Sequence, residues 1–314
     1  MRITVIGDLL YDCFIWADRL PREGETVTGC KSGFFASGKG GNQAVQAARL
    51  GAEVYMIGKV GRDERGKILK DTLRENGVRT DFVFEDPEEN TGTDCVMVDK
   101  NGRNAIVVAP NANGRITPEE VRSAKELIES SDVLLSQLQI NEEAITAALT
   151  AARAAGVITV LNPAPARAIP DEYYELVDYF TPNETEAEFF TGRLQSDFPP
   201  EDWRAKTVGA FREKGIRNLV VTLGAEGALF ADREKSFLMP AFRVRAVDST
   251  AAGDSFNAAF SLGLAEGRPV AEAVRLGCAA GALTASREGS VPSLPDREEL
   301  EAFLRNTENQ EKEI

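Results

Sequence analysis

The sequence has 314 residues and contains no histidine. This absence excludes Ser-His-Asp and Cys-His catalysis, histidine metal sites and a histidine general base. Proton transfer in this chain must therefore be carried out by carboxylates, lysine, tyrosine or cysteine.

Positive charge is also scarce. The chain has 36 lysine and arginine residues against 50 aspartate and glutamate residues, which gives a formal net charge of −14. Nucleic acids and anionic membrane surfaces bind to basic protein faces, so the composition argues against both as partners. It still permits a local positive pocket for a phosphorylated ligand.

The chain also has few cysteines and no long apolar run. The four cysteines, Cys13, Cys30, Cys95 and Cys278, have no C-x-x-C spacing, which is typical of reduced thiols in a cytosolic protein. No apolar run approaches the roughly 18 residues of a membrane span. Asp8 interrupts the first apolar stretch too early for a signal peptide. We therefore expect a cytoplasmic protein.

Short runs rich in valine and isoleucine alternate with longer helical patterns. This alternation predicts an α/β fold with a doubly wound, mostly parallel sheet that is flanked by helices and binds ligands at the carboxyl ends of its strands. The predicted strands are 3–7, 54–61, 132–137, 157–162, 177–182 and 217–224. The predicted helices between them are 41–51, 66–77, 116–130, 142–156 and 203–215.

Two stretches break this alternation. Residues 12–36 and 93–109 have the pattern of strands joined by turns, and the sequence "DKNGRN" is a strong hairpin signal. We expect them to form a small inserted β-sheet, a lid over one edge of the main sheet. One domain over 1–306 is predicted, followed by a polar tail, 307–314, that is expected to fray.

The segment "GFFASGKGGN" (33–42) matches the G-x-x-x-x-G-K pattern of a phosphate loop only in part. The next residue is Gly40 and not the serine or threonine that would hold magnesium, and no buried parallel strand precedes it. We interpret the segment as a glycine loop that opens a helix near Gly41. Its backbone amides, together with Lys39 and Asn42, would bind ligand hydroxyls; a plain turn into a helix is the alternative.

The segment "VDSTAAGDSFNAAF" (247–260) places small residues directly before an acid. The preceding "FRVRAV" has a strand pattern, and the pattern from Ser255 onward is helical, so the small residues form a helix entrance. Amides there lack intrahelical partners, and small side chains let a phosphate approach them. Asp254 is then either an ordinary N-cap or a base next to a phosphoryl group.

The segment "TPNETEAEFF" (181–190) places Asn183 and Glu186 three residues apart where a strand meets a helix. Both side chains then share one face at the ligand edge, which suits a hydrated magnesium or a phosphate network. The alternative is an acidic first turn favoured by the helix dipole.

Taken together, these segments resemble the ribokinase-like, or PfkB, family of carbohydrate kinases, and within it the ribokinase branch. The resemblance extends from about residue 3 to 304. It rests on "SGKGGNQAVQAARLGAEVYMIGKVGRD" (37–63) and "DSTAAGDSFNAAFSLGL" (248–264), with "LNPAPAR", "TPNETEAE" and "TLGAEG" between them.

The resemblance implies ATP-dependent phosphorylation of a primary hydroxyl of a small sugar, with D-ribose first. ATP, Mg²⁺ and an activating K⁺ are the implied cofactors. Asp254 matches the base, and Ala251, Ala252 and Gly253 match the anion hole. The other implied sites are the sugar contacts Asp12, Gly38, Lys39, Asn42 and Gln139; the nucleotide contacts Asn183, Thr222, Gly224, Gly227 and Cys278; Glu186 for magnesium through water; and Asp248, Thr250, Thr284, Arg287, Gly289 and Ser293 for the monovalent cation.

Two positions depart from the ribokinase pattern, both on the sugar side. Leu10 stands where the pattern has a sugar-binding asparagine, and Gln139 where it has a glutamate. A kinase for another sugar, polyol or nucleoside therefore stays open, as does a sugar-binding regulator without activity. Exposed lid strands also lead us to expect a homodimer through the lid.

Overall fold

The computed structural model describes residues 1–312 and the side-chain surroundings of residues 1–307. The strands are β1 (Arg2–Ile6), β2 (Leu10–Ala17), β3 (Gly29–Ser37), β4 (Glu53–Gly61), β5 (Val78–Asp86), β6 (Thr93–Asp99), β7 (Asn104–Ala109), β8 (Val133–Ser136), β9 (Ile158–Leu161), β10 (Tyr179–Phe180), β11 (Asn218–Thr222), β12 (Ala228–Ala231) and β13 (Ser236–Met239). The helices are α1 (Lys39–Arg49), α2 (Glu64–Glu75), α3 (Pro118–Ser123), α4 (Lys125–Glu129), α5 (Glu142–Ala155), α6 (Tyr173–Leu176), α7 (Glu184–Thr191), α8 (Pro200–Glu213), α9 (Ala252–Ala265), α10 (Val270–Ala285) and α11 (Arg297–Lys312).

Nine strands form the main sheet, in the order β13-β12-β11-β10-β9-β8-β1-β4-β5. All neighbours from β11 to β5 are parallel, and β12 and β13 add an antiparallel edge. Each of the six strands predicted from the sequence is present. The doubly wound α/β prediction is confirmed.

Helices cover both faces of this sheet because its strands carry apolar side chains on both sides. Val133 and Leu135 of β8 pack into a core with α1, α2, α9, α10 and α11. Leu134, between them, packs into a second core with helices of the 116–213 region. Each fully buried side chain of this kind stabilises the fold by ~1.5–3 kcal/mol, so both layers hold the strand ends in place.

Two local predictions were wrong. The helix predicted over 116–130 is interrupted at Ala124, whose φ of −95° and ψ of 12° separate α3 from α4. The segment "FRVRAV" (242–247) forms no strand. It follows the edge strand β13 but pairs with no strand of the main sheet. Its alternating pattern arises because Phe242 packs on Phe303 of α11, whereas Arg243 is exposed.

The inserted lid is a separate four-stranded sheet in the order β3-β2-β6-β7. Its β2–β6 pair is parallel, and its other two pairs are antiparallel. The predicted hairpin joins β6 to β7. Asp99 accepts hydrogen bonds from the backbone amides of Asn101 and Arg103, and Gly102 has a φ of +79°. A positive φ at this position is what a tight turn requires of glycine.

The carboxyl-terminal helix α11 continues to Lys312, further than the predicted domain end at residue 306. The first six residues of the predicted tail are therefore helical, and residues 313 and 314 lie outside the described residues. Between residues 1 and 312, no helix has both the length and the apolar character that crossing a bilayer requires.

Candidate active site

A large cleft lies between the lid and the carboxyl ends of the main-sheet strands. Its volume is about 1560 Å³. Lid strands β2, β3, β6 and β7 line one side, and the loops after the parallel strands line the other. The predicted site residues that line it are Asp12, Gly38, Lys39, Asn42, Gln139, Asn183, Glu186, Thr222, Asp248, Thr250, Ala251, Gly253, Asp254 and Gly289.

Asp254 lies in the first turn of α9, at the floor of this cleft, and is 9% exposed. Its Oδ2 accepts a hydrogen bond from Asn42 Nδ2 at 3.0 Å, and its Oδ1 accepts one from Gln43 Nε2 at 2.9 Å. Burial raises the pKa of Asp254, opposed by the charge of Lys39 and by the two amide donors. The carboxylate is thus fixed in orientation and more basic than an exposed aspartate.

Gln43 was missed by the sequence analysis, although it follows Asn42 directly. Its Nε2 also lies 3.2 Å from Asn162 Oδ1, and its Oε1 accepts a hydrogen bond from Gln137. All three amides are buried. They form a hydrogen-bond network from the ends of β8 and β9 to Asp254, and this network sets the orientation of the carboxylate.

The glycine loop before α1 uses its backbone amides differently from the expectation. Asp8 Oδ2 accepts from the amide of Lys39 at 3.2 Å, Asp8 Oδ1 from Gly40 at 3.0 Å, and the Asp8 carbonyl oxygen from Gly41 at 3.1 Å. These amides are therefore not available to a ligand. A Cβ on Gly40 would lie 2.8 Å from the Asp8 backbone nitrogen, so the glycines serve close backbone packing. Ligand contacts are left to the Lys39 and Asn42 side chains.

Lys39 is the positive group of this region. Burial lowers its pKa, but the carboxylates of Asp254, Asp8 and Glu186 raise it, and the net shift is upward. Its ammonium group therefore stays charged at neutral pH. Burial, partly offset by the Gly40 amide and Lys39, raises the pKa of Asp8 to about 6.

The entrance of α9 presents free backbone amides to the cleft. Ala251 has a φ of +60°, and the amide of Ala252 donates to the Ser249 carbonyl at 3.2 Å. Within the described residues, the amides of Ala251, Gly253 and Asp254 have no hydrogen-bond acceptor. The amide of Ala252, which was predicted to belong to the anion hole, is therefore already occupied. The amide of Asp254, which was not predicted, is free instead. Free amides at a helix start, with the helix dipole, favour a phosphoryl group.

Asn183 and Glu186 form a capping box at the start of α7. The amide of Glu186 donates to Asn183 Oδ1, and the amide of Asn183 donates to Glu186 Oε2, each at 2.8 Å. Burial raises the pKa of Glu186. Within residues 1–307, no three cysteine, aspartate or glutamate side chains group into a metal site. A magnesium ion here would thus need ligands from phosphate and water in addition to these oxygens.

The two segments predicted to hold a monovalent cation lie together. Asp248 Oδ1 accepts from the amide of Thr250 at 2.9 Å, and Asp248 Oδ2 accepts from the amide of Gly289 at 3.0 Å. The Oγ1 of Thr284 is buried without a partner among the described residues. Arg287 instead pairs with Glu299 of α11, at 2.8 Å. The Oγ of Ser293 donates to the Ser290 carbonyl at 2.7 Å.

Comparison with known proteins identifies the family. The model of the pfkB family of carbohydrate kinases matches residues 1–297. The chain belongs to this family. Ribokinase of Haemophilus influenzae is 39% identical over 302 residues, with 96% of this chain and 98% of that protein covered. Deoxyribokinase of Salmonella typhi is 32% identical over 305 residues, with 97% and 99% covered. A ribokinase of Arabidopsis thaliana, solved in complex with ribose and ATP, superposes with a TM-score of 0.87 at 30% identity, with 96% and 98% covered.

The nucleotide contacts predicted for this pfkB chain are only partly brought to the cleft. Thr222 ends β11 and lines it. Gly224 and Gly227 lie in the turn before β12 with positive φ, and a Cβ on Gly227 would overlap the Met239 carbonyl oxygen. Cys278 is turned into the apolar core around α10, where burial raises the pKa of its thiol to about 12. The structure does not bring Cys278 to the cleft.

The part of the cleft that is predicted to bind the sugar contains both departures found in the sequence. Leu10 is 3% exposed and lines the cleft, as does the half-buried Gln139. Asp94 of β6 lines it too and was missed. The sequence signal for Asp94 was an acid on the same face of β6 as Val96 and Val98, both of which line the cleft.

Proposed function

We propose that this carbohydrate kinase transfers the γ-phosphoryl group of ATP to the primary hydroxyl of D-ribose, which gives ribose 5-phosphate. The observation that carries the proposal is the buried Asp254 carboxylate, held by Asn42 and Gln43 beside the free amides of the α9 entrance. The relatives named ribokinase over nearly the full chain, and the ribokinase solved with ribose and ATP, support the choice of substrates.

Asp254 acts as the base in this mechanism. An oxygen of its carboxylate takes the proton from the primary hydroxyl of the sugar. The hydroxyl oxygen attacks the phosphorus atom at the same time, and ADP leaves on the opposite side. The raised pKa of Asp254 improves its match to the proton it accepts. The amides of Ala251, Gly253 and Asp254 stabilise the charge on the phosphoryl oxygens during transfer.

Lys39 and the start of α7 complete the charge balance. Lys39 lies near Asp254 and Glu186 and supplies a fixed positive charge. Glu186 and Asn183 line the cleft and would hold magnesium, with water and ATP oxygens as the other ligands. When bound, the ion neutralises phosphate charge. The capping box holds both side chains in place for this role.

The segment around Asp248 is proposed to bind a monovalent cation. Asp248 already fixes the loop after Thr284 to the loop before Ala251, through the amides of Thr250 and Gly289. The unpartnered Thr284 oxygen and nearby backbone carbonyls provide the uncharged oxygen donors that potassium prefers. Arg287 and Ser293 would contribute through backbone carbonyls. The ion would act by holding the anion hole in position.

The lid is proposed to close over the sugar and exclude water, which suppresses ATP hydrolysis. It is also the proposed dimer surface. Its edge strands β3 and β7 carry exposed apolar side chains, among them Phe34 at 57% and Val107 at 69% exposure. A second copy pairing edge to edge would cover them. We place the reaction in the cytoplasm, where ATP is supplied and the four free thiols stay reduced.

A second acceptor, 2-deoxyribose, is favoured by one observation. Leu10 is buried in the cleft wall and offers no hydrogen bond, so a sugar hydroxyl placed against it would lose roughly 1–3 kcal/mol. A sugar lacking that hydroxyl loses nothing. The deoxyribokinase relative is in keeping with such a preference.

The test is a coupled ADP-release assay with ATP and a panel of pentoses, deoxypentoses, hexoses, polyols and nucleosides. We expect the highest kcat/KM for ribose, with 2-deoxyribose next. A hexose, polyol or nucleoside that exceeds both by tenfold would replace the proposed acceptor. Sugar binding without ADP release from any of them would favour a non-catalytic regulator.

A further inference from the structure

Two carboxyl groups lie side by side on the cleft face of the lid. Asp12 of β2 and Asp94 of β6 each come one residue before Cys13 and Cys95, which are register partners in the parallel β2–β6 pair. Successive side chains alternate between the faces of a strand. Both carboxyls therefore lie on the face opposite the two cysteines, and both line the cleft.

The protein leaves these carboxyl groups partly unsatisfied. Asp12 is only 4% exposed. The Oδ1 atoms of Asp12 and Asp94 are buried, and neither has a hydrogen-bond partner in the part of the chain whose side chains are described. Buried acceptors without donors are unfavourable, and native proteins usually pair them. A molecule bound in the cleft is the available source of donors.

The charge of the pair restricts what that molecule is. Burial and then the charge of Asp94 raise the pKa of Asp12 to about 8, and burial raises the pKa of Asp94. Both carboxyl groups thus carry less negative charge than two exposed aspartates would. Asp8 adds negative charge from the loop after β1, and Lys39 of α1 offsets it. Two buried oxygens without donors remain, one on each acid, and neighbouring hydroxyl groups can donate to both.

We propose that Asp94 is a substrate-binding residue that, together with Asp12, accepts hydrogen bonds from two neighbouring hydroxyl groups of the sugar. The inference rests on the proposed function and deepens it, because it names a vicinal diol as the feature that is recognised. Leu10 on the same strand as Asp12 cannot bind a hydroxyl. The acid pair therefore carries the polar recognition at this end of the cleft.

Sugar binding can be measured without ATP through tryptophan fluorescence. The chain has two tryptophans. Trp16 lies on β2 and lines the cleft, whereas Trp203 is buried in α8. Ribose, 2-deoxyribose and 3-deoxyribose are titrated into the wild type, into Asp94→Asn and into the control Cys95→Ser, whose side chain lies on the outer face of the same strand. KM and kcat are measured in parallel for the phosphorylated sugars.

We expect Asp94→Asn to raise the ribose Kd and KM at least tenfold, with kcat within threefold of the wild type. It should also lose the discrimination between ribose and one of the deoxy sugars, because the lost acceptor served that hydroxyl. Cys95→Ser should match the wild type. An Asp94→Asn Kd within twofold of the wild type, or equal weakening for all three sugars, would overturn the proposal.

Three further outcomes keep the test decisive. If Asp94→Asn does not fold, Asp94→Glu and the wild type decide, since equal wild-type affinity for ribose and both deoxy sugars also overturns the proposal. If the wild type binds ribose but does not phosphorylate it, the proposed function fails while the binding comparison still decides the role of Asp94. If no sugar changes the tryptophan emission of the wild type, or its midpoint of thermal unfolding measured as a second binding readout, the proposed function and the role of Asp94 both fail.

Discussion

Replacing Asp254 by asparagine removes the proposed base and changes little else. The side chain keeps its size, but it accepts through one oxygen only, so either Asn42 or Gln43 loses its acceptor. We expect kcat to fall at least 10²-fold, the low end for a lost general base, which corresponds to about 2.7 kcal/mol of transition-state stabilisation. The ribose Kd and the ATP Kd should stay within threefold.

The stability change should be small because two effects oppose each other. Losing one amide hydrogen bond costs about 0.5–1.5 kcal/mol. Removing a buried charge whose pKa burial has raised gives some of this back. The free energy of unfolding, measured in urea, checks the sum of these two effects. Ser255→Ala is the matched control. Ser255 is the next residue of α9, and its hydroxyl donates a hydrogen bond to Gln46 Oε1, away from the cleft.

The pH profile separates a base from a merely structural acid. Burial raises the pKa of Asp254 above its ordinary value near 3.8, so the carboxylate becomes protonated, and activity falls, at a pH above that value. This acid limb of log kcat/KM should be absent in Asp254→Asn. Retention of more than a tenth of the wild-type kcat, or an unchanged acid limb, would remove Asp254 from the base role.

Three other predictions follow from the same site. Potassium at fixed magnesium and ionic strength should raise kcat over that in a bulky organic cation; equal initial rates would count against the cation loop. The double change Leu10→Asn with Gln139→Glu should improve kcat/KM for ribose about tenfold, since one decade is 1.4 kcal/mol; a micromolar wild-type KM that the change only worsens would show that these positions do not decide the sugar. Gly40→Ala should lower the free energy of unfolding by about 1–3 kcal/mol, because its Cβ would meet Asp8 at 2.8 Å. Its control, Gly209→Ala in α8, has open space and should stabilise by about 0.5–1 kcal/mol; equal effects in urea unfolding would refute the packing argument.

The parallel strands of the main sheet and the location of Asp254 at a helix entrance followed from local patterns. Runs of valine and isoleucine separated by helical periodicity predict a parallel sheet, because strands buried on both faces need apolar side chains on both. A run of small residues before an acid predicts an open helix start, because the first amides of a helix have no internal acceptors. The lid hairpin followed from "DKNGRN" in the same way.

Contacts between distant residues were decided only by the tertiary structure. Asn42 and Gln43 meet Asp254 across 212 and 211 positions, and no local pattern specifies which amide orients the acid. The loop amides at Lys39 and Gly40 bind Asp8, a partner that appears only once β1 and α1 pack together.

The same limit applies to Cys278 and Asp94. Position in the family pattern placed Cys278 near the nucleotide, but the packing of α10 buries this residue in the apolar core, and it does not line the cleft. Asp94 looked like one polar residue in a lid strand until the parallel β2–β6 pairing placed it beside Asp12. The sequence by itself determined most of the strands and helices and the open start of α9 at Asp254, because those depend on neighbours a few positions away. Which groups face the sugar depends on strand pairing and helix packing, and these are set by long-range burial.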